Sequence, residues 1–345
     1  MKLKTAVLLI NLGTPDSPSV KDVRKYLFEF LNDPRVIDIP AVARFILVNL
    51  IIVPFRAPNS AKIYEELWVN NGLPDGTKGS PILYYGKSVQ EKLQKALGEN
   101  YDVHLAMRYK NPSIDDVLSY VYKKNYEKII IIPLFPHYAS ATTGSVIDKV
   151  MKIISKWWVI PEIKFVGQFY DNDGYINTVV EQSKKYKLDD YDHVLFSYHG
   201  LPVRQVDKVY KDNTLCEEHN CETEINETNK YCYKAACYAT TRLIAKKLGL
   251  SEDKYTVCFQ SRLDKKWLEP FADKMIIEQA KKGAKRLLVF SPAFVADCLE
   301  TLIEIGVEYQ KLFEEHGGEK VQLVESLNDH PMWVETLKDM VKNNY

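Results

Sequence analysis

Apolar runs that alternate with amphipathic segments constrain the fold of this chain more than any other feature. Six runs have the composition of buried strands: AVLLINL (6–12), VHLAMRY (103–109), KIIIIPLFP (128–136), HVLFSYHG (193–200), YTVCFQS (255–261) and RLLVFSPAF (286–294). Between them lie charged, helix-like segments such as PSIDDVLSYVYKKN and MIIEQAKKGAK. Because continuous apolar strands separated by helices are typical of parallel sheets covered on both faces, the pattern predicts an α/β fold.

Two pairs of segments resemble each other and predict two similar halves. AVLLINLGTP and HVLFSYHGLP are each an apolar strand followed by Gly-x-Pro, and KIIIIPLFPHYASATTGS shares its layout with RLLVFSPAFVADCLETL. The chain has 345 residues, whereas single cores stop growing at about 250–300 residues. We therefore predict two Rossmann-like, doubly wound domains with mostly parallel sheets, residues 1–175 and 176–345. The boundary is expected in the polar stretch 170–192.

Charge and the first residues bear on partners and location. The chain has 46 basic and 46 acidic residues, and this zero formal net charge argues against a nucleic-acid-binding protein. The sequence MKLKTAVLLINLGTP predicts a first strand rather than a signal peptide, because its apolar run is short and turn residues follow it. We expect a cytoplasmic protein.

The most apolar window, FILVNLIIVPF, covers residues 45–55. It is shorter than the roughly 20 residues that a membrane-spanning helix needs. Two interpretations remain open. The residues alone favour a buried helix, and the alternative is an exposed apolar lip for an apolar ligand or a membrane surface.

Chemistry-bearing side chains occur where strands end. Ligands of doubly wound sheets bind beyond the carboxyl ends of the strands, and His199 ends one such strand. His137 is placed similarly in the first half and is the second candidate. Asp297 and Glu300 lie at a predicted helix N-terminus, where they either cap the helix or face the ligand, and Glu304 lies one turn further along. Imidazole and carboxylates can accept protons or hold a divalent cation.

Four of the six cysteines fall in one polar segment, with spacings of 4, 10 and 4 residues: Cys216, Cys221, Cys232 and Cys237. Because disulfides are disfavoured in a reducing cytoplasm, the cluster suggests a metal centre, either an iron–sulfur cluster or a structural zinc. His219 could replace one ligand. The alternative is a set of free thiols in an inserted segment, and Cys258 is predicted to be a buried apolar residue.

A series of ordered segments closely resembles ferrochelatases, the lyases that insert ferrous iron into protoporphyrin IX to give protohaem in the last step of haem synthesis. The segments are LLINLGTPDSP, FLNDPRVIDIP, GSPILYYG, AMRYKNPSI, PHYASATTGS, SYHGLP, FQSRLDKKWLEP and FVADCLETLIEI. The resemblance implies two Rossmann-like domains with a porphyrin cleft between them. It places the family's essential histidine on His199 and its essential glutamate on Glu300, as metal ligands and proton acceptors.

The same resemblance implies substrate-binding residues. The pair thought to face the porphyrin matches Arg108 and Tyr109, so that Arg108 could pair with a propionate, and the tryptophan near the cleft matches Trp267. Asp297 occupies the acid position before the essential glutamate, and we count Tyr138 as a further candidate. The resemblance also favours a functional role for the apolar lip at 45–55, in contact with the ring or with a membrane.

Three departures from the family bear on cofactors. Many members have histidine where Cys298 stands. Ser140 replaces an iron–sulfur ligand cysteine of animal members, and the tail MVKNNY has no cysteine, so the animal type of cluster is not expected. Residues 211–237 resemble an insertion, and some bacterial members carry a cluster with internal cysteines, which favours a 2Fe–2S centre here.

Other functions remain open at this point. A related chelatase would insert cobalt into a corrin precursor, and a tetrapyrrole carrier would bind without turnover. The porphyrin is either protoporphyrin IX or coproporphyrin III, and the sequence predicts no oligomeric state.

Overall fold

The computed structural model describes residues 5–70, 73–211 and 213–343. These residues contain eight strands. The strands are β1 (Thr5–Gly13), β2 (Tyr101–Tyr109), β3 (Lys128–Pro133), β4 (Glu162–Phe165), β5 (His193–His199), β6 (Tyr255–Gln260), β7 (Arg286–Phe290) and β8 (Lys320–Leu323).

Helices connect the strands throughout the described residues. The α-helices are α1 (Val20–Leu31), α2 (Ala41–Ile46), α3 (Val53–Asn70), α4 (Pro81–Leu97), α5 (Ile114–Tyr122), α6 (Ser145–Ile154), α7 (Asp173–Ser183), α8 (Val203–Val206), α9 (Tyr233–Leu248), α10 (Ala272–Lys281), α11 (Gln310–Glu315) and α12 (Pro331–Lys342). Three segments are π-helical: Leu47–Ile52, Ser140–Gly144 and Glu300–Tyr309. Short 3₁₀ helices cover Leu188–Asp190, Asp207–Val209, Cys216–Glu218 and Glu252–Lys254.

The strands form two four-stranded sheets with the orders β2-β1-β3-β4 and β6-β5-β7-β8. Every pairing in both sheets is parallel. The α/β prediction and the prediction of two similar parallel sheets are therefore confirmed. The sequence pattern missed β4 and β8, because each has only four residues at a sheet edge and lacks a continuous apolar run.

The chain divides into two compact units. One comprises Met1–Phe135, Ala139–Gly167 and Val334–Tyr345, and the other comprises Pro136–Tyr138 and Gln168–Trp333. The first unit contains the sheet of β1 to β4, and the second contains the sheet of β5 to β8. The predicted boundary between residues 175 and 176 lies inside α7. The last residues of the chain, from Val334 on, belong to the first unit rather than to the second.

Each sheet has its own apolar core. In the first unit, Ala6, Leu8 and Ile10 alternate on one face of β1 and pack with apolar residues of α5 and α6. In the second unit, Leu195 and Val289 pack with residues of α10 and α11. The period of two along these strands is what a sheet face requires.

The apolar window forms part of a continuous helical stretch, α2, the π segment Leu47–Ile52 and α3. Among the described residues, Ala41–Val69 is the one helix long and apolar enough to cross a membrane, judged by length and composition alone. Only 17% of its apolar window is buried, and the exposed side chains include Phe45, Leu50, Ile51 and Phe55. The buried-helix interpretation of residues 45–55 is therefore wrong, and the helix is longer than the apolar run that first indicated it.

Candidate active site

His199 is the last residue of β5, where the strand leaves the sheet. Its backbone pairs with Gln260 of β6, and Gly200 N–H donates to Gln260 O at 2.8 Å. A Cβ on Gly200 would lie 2.9 Å from Gln260 O and 3.3 Å from the ring of Trp267, so only glycine fits after the histidine. This packing explains the local sequence His-Gly and fixes where the imidazole emerges.

The imidazole of His199 has a defined tautomer. Nδ1 lies 2.7 Å from Gly200 O. Since a carbonyl oxygen only accepts, Nδ1 carries the proton, and Nε2 of the neutral ring holds a lone pair. That nitrogen can accept a proton or bind a metal ion.

Two aromatic side chains flank the half-buried imidazole. The ring centroid of Trp267 lies 6.4 Å from that of His199, and the centroid of Phe294 lies at 6.5 Å. Trp267 also lies across an isolated bridge from Pro202. The structure therefore places the predicted Trp267 beside His199 and adds Phe294, which the sequence analysis did not single out.

Gln260 joins the end of the sheet to the helix that begins at Glu300. Its Nε2 donates to Glu300 O and to Glu304 Oε2, both at 2.9 Å, while its Oε1 accepts from the Ser197 hydroxyl at 2.7 Å. His199 and Glu300 are thus tied to the same side chain, one through strand pairing and one through a hydrogen bond. Gln260 was missed because its partners are 40 or more residues away in sequence.

Glu300 is the first residue of the π-helix Glu300–Tyr309. Burial and the nearby negative charge of Glu300 raise the pKa of the Cys298 thiol. Glu304, one turn along, is held by Ser261 N–H at 2.8 Å, the Ser261 hydroxyl, and the Tyr309 hydroxyl at 3.1 Å. These hydrogen bonds, all within the second unit, fix the Glu304 carboxylate, whereas the Glu300 side chain is half-exposed.

Asp297 is buried, at 3% exposure. Its carboxylate accepts from Asn328 Nδ2 at 2.7 Å, Ser326 N–H at 3.1 Å and the Thr301 hydroxyl at 3.2 Å. Burial raises the pKa of Asp297, although these hydrogen bonds oppose the rise. Of the two roles predicted for this acid, the contacts favour the structural one, in which it ties the start of the π-helix to the segment after β8.

Arg108 and Tyr109 lie at the end of β2 in the first unit, and both bind Asp33. The Arg108 guanidinium pairs with the Asp33 carboxylate, which also accepts from the Tyr109 hydroxyl at 2.9 Å and from the Ser145 hydroxyl. Tyr109 is fully buried and Asp33 is 5% exposed. Asp33 was missed by the sequence analysis, because nothing local marks a carboxylate whose partners are distant in the chain.

The two aromatic positions of PHYASATTGS have different surroundings. His137 is 2% exposed, with Nε2 2.9 Å from Thr240 Oγ1, and burial lowers its pKa to about 3. It is therefore a neutral core residue rather than the second candidate for chemistry. Tyr138 is half-exposed and packs edge-on against Tyr231, with ring centroids 5.8 Å apart.

Three of the four clustered cysteines come together. The Sγ atoms of Cys216, Cys221 and Cys232 lie within 4.8 Å of one another, and all three side chains are buried. The Cys221 thiol donates to Cys232 Sγ at 3.7 Å and lies 3.0 Å from the Tyr210 hydroxyl oxygen. Among the described residues, this group, hereafter the cysteine triad, is the one set that meets the distance criterion for a metal site.

Two predicted ligands lie apart from the cysteine triad. Cys237 is fully buried within α9 and is not a member of the group. His219 stacks on Tyr210 with centroids 4.1 Å apart, and its Nε2 lies 2.8 Å from Thr214 Oγ1. The donors present therefore fit a metal held by three thiolates, and they do not form the four-cysteine set that a 2Fe–2S cluster with cysteine ligands needs. Residue 212 of the predicted insertion lies outside the described residues.

Comparison with known proteins gives consistent matches over the chain. A family model described as ferrochelatase matches residues 4–345. A ferrochelatase of Legionella pneumophila strain Lens is 43% identical over 344 residues, which cover 99% of this chain and 100% of that protein. A ferrochelatase of Coxiella burnetii is 42% identical over 99% of this chain and 94% of its own length.

Two solved structures match this chain in fold. SirB from Bacillus subtilis with Fe3+ matches with a TM-score of 0.56 and 12% identity, over 99% of this chain and 95% of SirB. The sirohydrochlorin chelatase SirB from Bacillus subtilis subspecies spizizenii in complex with cobalt matches with a TM-score of 0.54 and 11% identity, over 99% and 94%. At these identities the likeness concerns the fold alone.

Proposed function

The chain belongs to the ferrochelatase family, and we propose that His199 and Glu300 carry out its reaction, the insertion of Fe2+ into protoporphyrin IX. The protein is a metal chelatase, and hence a lyase of haem biosynthesis. The observation that carries the proposal is the hydrogen bond from His199 Nδ1 to Gly200 O at 2.7 Å. It leaves Nε2 as the basic nitrogen at the carboxyl end of β5, where ligands of such sheets bind.

Metal insertion sets a definite proton balance. The free-base macrocycle carries two pyrrole N–H groups, and both protons leave as the Fe2+ ion exchanges its water ligands for four ring nitrogens. His199 Nε2 accepts one proton, and the Glu300 carboxylate accepts the second. Each group can also bind the incoming iron before it takes up a proton, since neutral imidazole and carboxylate are both metal ligands.

Neighbouring residues hold the two groups in place. Gln260 and Glu304 fix the first turns of the π-helix and therefore the backbone from which Glu300 projects. Trp267 beside His199 offers an apolar surface for the macrocycle. Arg108 and Tyr109 remain proposed substrate residues. Arg108 would meet a propionate with Asp33 still bound on its other side, and buried Tyr109 would act by holding Asp33. Tyr138 remains a further proposed substrate residue, and Asp297 would affect the substrate through the start of the π-helix that it holds in place.

For the cysteine-rich segment, we propose a bound metal with Cys216, Cys221 and Cys232 as ligands. Their spacing supports three thiolate ligands, and such a metal would supply a structural crosslink rather than a step of the reaction. Iron in a cluster and zinc are the two candidates. An iron–sulfur cluster requires a further ligand besides these three cysteines.

The exposed apolar helix supports a peripheral membrane contact through residues 45–55 of an otherwise cytoplasmic protein. Its apolar side chains are exposed, and Arg44 at its start donates to Ile37 O and Ile39 O, so the start of the helix is fixed to the segment that precedes it. An exposed apolar surface of this kind suits a substrate that partitions into lipid.

Anaerobic turnover with Fe2+ and protoporphyrin IX, followed by the loss of porphyrin fluorescence, tests the function. We expect multiple turnovers by the wild type and a loss of at least about a hundredfold in His199→Ala, the scale of a general base. His193→Ala is a matched control. It removes a histidine from the opposite end of the same strand, where Nε2 lies 2.9 Å from Thr256 Oγ1, and it should keep most of the activity.

The same assay separates the alternatives. Wild-type turnover by His199→Ala would refute its role. Binding of protoporphyrin without turnover would indicate a carrier or coproporphyrin III as substrate, and a preference for Co2+ would favour the corrin chelatase. Glu300→Gln should lower turnover by a similar factor, whereas Glu308→Gln, an exposed glutamate of the same π-helix, should not.

A further inference from the structure

A buried tyrosine holds the backbone of His199. The Tyr233 hydroxyl donates to His199 O at 2.9 Å, and Tyr233 is 7% exposed. On the β7 side, the pairing of β5 ends at Phe196, three residues before His199. The end of the strand is therefore fixed by β6 on one side and by this side-chain hydrogen bond.

Tyr233 also adjoins the cysteine triad. It is the first residue of α9, and Cys232 is the N-cap of that helix. Cys232 Sγ lies 3.5 Å from Cys216 Sγ and 3.7 Å from Cys221 Sγ. Cys232, a member of the triad, therefore directly precedes in sequence the tyrosine whose hydroxyl binds His199 O.

The triad closes the loop from Cys216 to Cys232, which ends at the start of α9. Cys216 N–H donates to Asp207 at 2.8 Å, and Tyr210 Oη lies 3.0 Å from Cys221 Sγ, so the loop is also tied to the 3₁₀ helix Asp207–Val209 and to the residue after it. A metal that crosslinks Cys216 and Cys232 would remove the entropy of the intervening loop. A well-ordered cysteine triad therefore stabilises the position of Tyr233 at the start of α9.

We propose that Tyr233 is a positioning residue for His199 and that it makes the position of His199 depend on metal binding at the cysteine triad. The proposal rests on the proposed function of His199. Loss of the metal loosens the start of α9, weakens the hydrogen bond to His199 O and displaces the imidazole, although no triad residue touches the substrate.

The first test compares Tyr233→Phe with Tyr175→Phe. Tyr175 is a matched control, because it is fully buried in the same unit and its hydroxyl also donates to a backbone carbonyl, Pro292 O, at 2.7 Å. We expect Tyr233→Phe to lower kcat roughly fivefold, the effect of one hydrogen bond of ordinary net strength, with an unchanged KM for porphyrin. Equal effects of the two substitutions on kcat would overturn the positioning role.

The second test measures amide hydrogen exchange of the peptide that covers residues 197–202, without porphyrin. The Gly200 amide, bonded to Gln260 O, reports the order of the strand end. Exchange should be faster in Tyr233→Phe than in wild type or Tyr175→Phe. It should also be faster in wild type stripped of metal by a chelator, and it should return to its original rate on addition of Zn2+.

The coupling is tested by Cys232→Ser and the double variant Cys232→Ser/Tyr233→Phe. If the triad acts through Tyr233, amide exchange in the double variant is no faster than in whichever single variant exchanges faster. Zn2+ then slows amide exchange neither in Cys232→Ser nor in the double variant. Additive effects would overturn the coupling. Because exchange is measured without substrate, an inactive wild type with the expected exchange pattern would refute the proposed function and leave the positioning role supported.

Discussion

At the residue scale, Asp33 holds together the first unit's candidate substrate residues. Burial disfavours its charged form. The hydrogen bonds from Ser145 and from the backbone of Arg35, with the charge of Arg108, outweigh burial, so the pKa of Asp33 is lowered below its ordinary value. The native state therefore favours the ionised carboxylate more than the unfolded chain does.

Asp33→Asn should lower the free energy of unfolding at pH 7 by about 2 kcal/mol, because hydrogen bonds to a buried charge are stronger than neutral ones. The lowered pKa means that this contribution is complete above the unfolded-state pKa of about 3.9 and is lost as the pH falls through the folded-state value. Urea midpoints of wild type and variant should therefore converge as the pH falls below the unfolded-state pKa of about 3.9. A gap that widens on acidification would contradict the assignment, and Asp189→Asn on the surface is the control.

The geometry of the cysteine triad predicts different metal retention for two single cysteine substitutions. Cys232→Ser should lose the metal of the purified protein, because it removes one of three adjacent thiols. Cys237→Ser should keep that metal, since the Cys237 side chain lies outside the group. Elemental analysis and the visible spectrum of the protein as isolated measure both, and metal loss in Cys237→Ser would restore the four-cysteine interpretation.

At the scale of elements, local patterns predicted most of the fold. The apolar runs that became β1 and β5 are continuous and buried, and the Gly-x-Pro turns after them are local signals. The π-helical form of Glu300–Tyr309 was not predictable, because its apolar positions also suit an α-helix. His199 was predictable from the end of its strand, whereas Gln260 and Tyr233 act through partners brought close only by the tertiary fold.

The exposed apolar helix predicts lipid binding. Replacing Phe55, which is 76% exposed, and Leu50 by Ser should reduce co-sedimentation with phospholipid vesicles several-fold, since each side chain would otherwise bury apolar area in the bilayer. The same double substitution should leave thermal stability nearly unchanged. Replacing exposed Val203 and Leu263 in the second unit is the control, and equal vesicle binding by all three proteins would contradict the membrane contact.

At the scale of the whole molecule, the chain does not divide into two consecutive pieces. Residues from Val334 on, within α12, belong to the first unit together with β1. Leu337→Ala, at a fully buried position, should lower the free energy of unfolding by about 3 kcal/mol. We expect hydrogen exchange to rise in β1 and not in β5, whereas Met332→Ala at the exposed start of α12 should change neither. A rise confined to β5 would contradict the division.

The two sheets have the same order, with the first strand of each unit second in its sheet and the third and fourth beyond it. A half-length ancestor whose gene was duplicated and fused would leave this pattern. In the aligned segments LGTP and HGLP, Leu12 stands where His199 stands. The proposed proton acceptor at the end of the first strand therefore has no counterpart in the first unit, where the segment that follows the first strand leads instead to the exposed apolar helix.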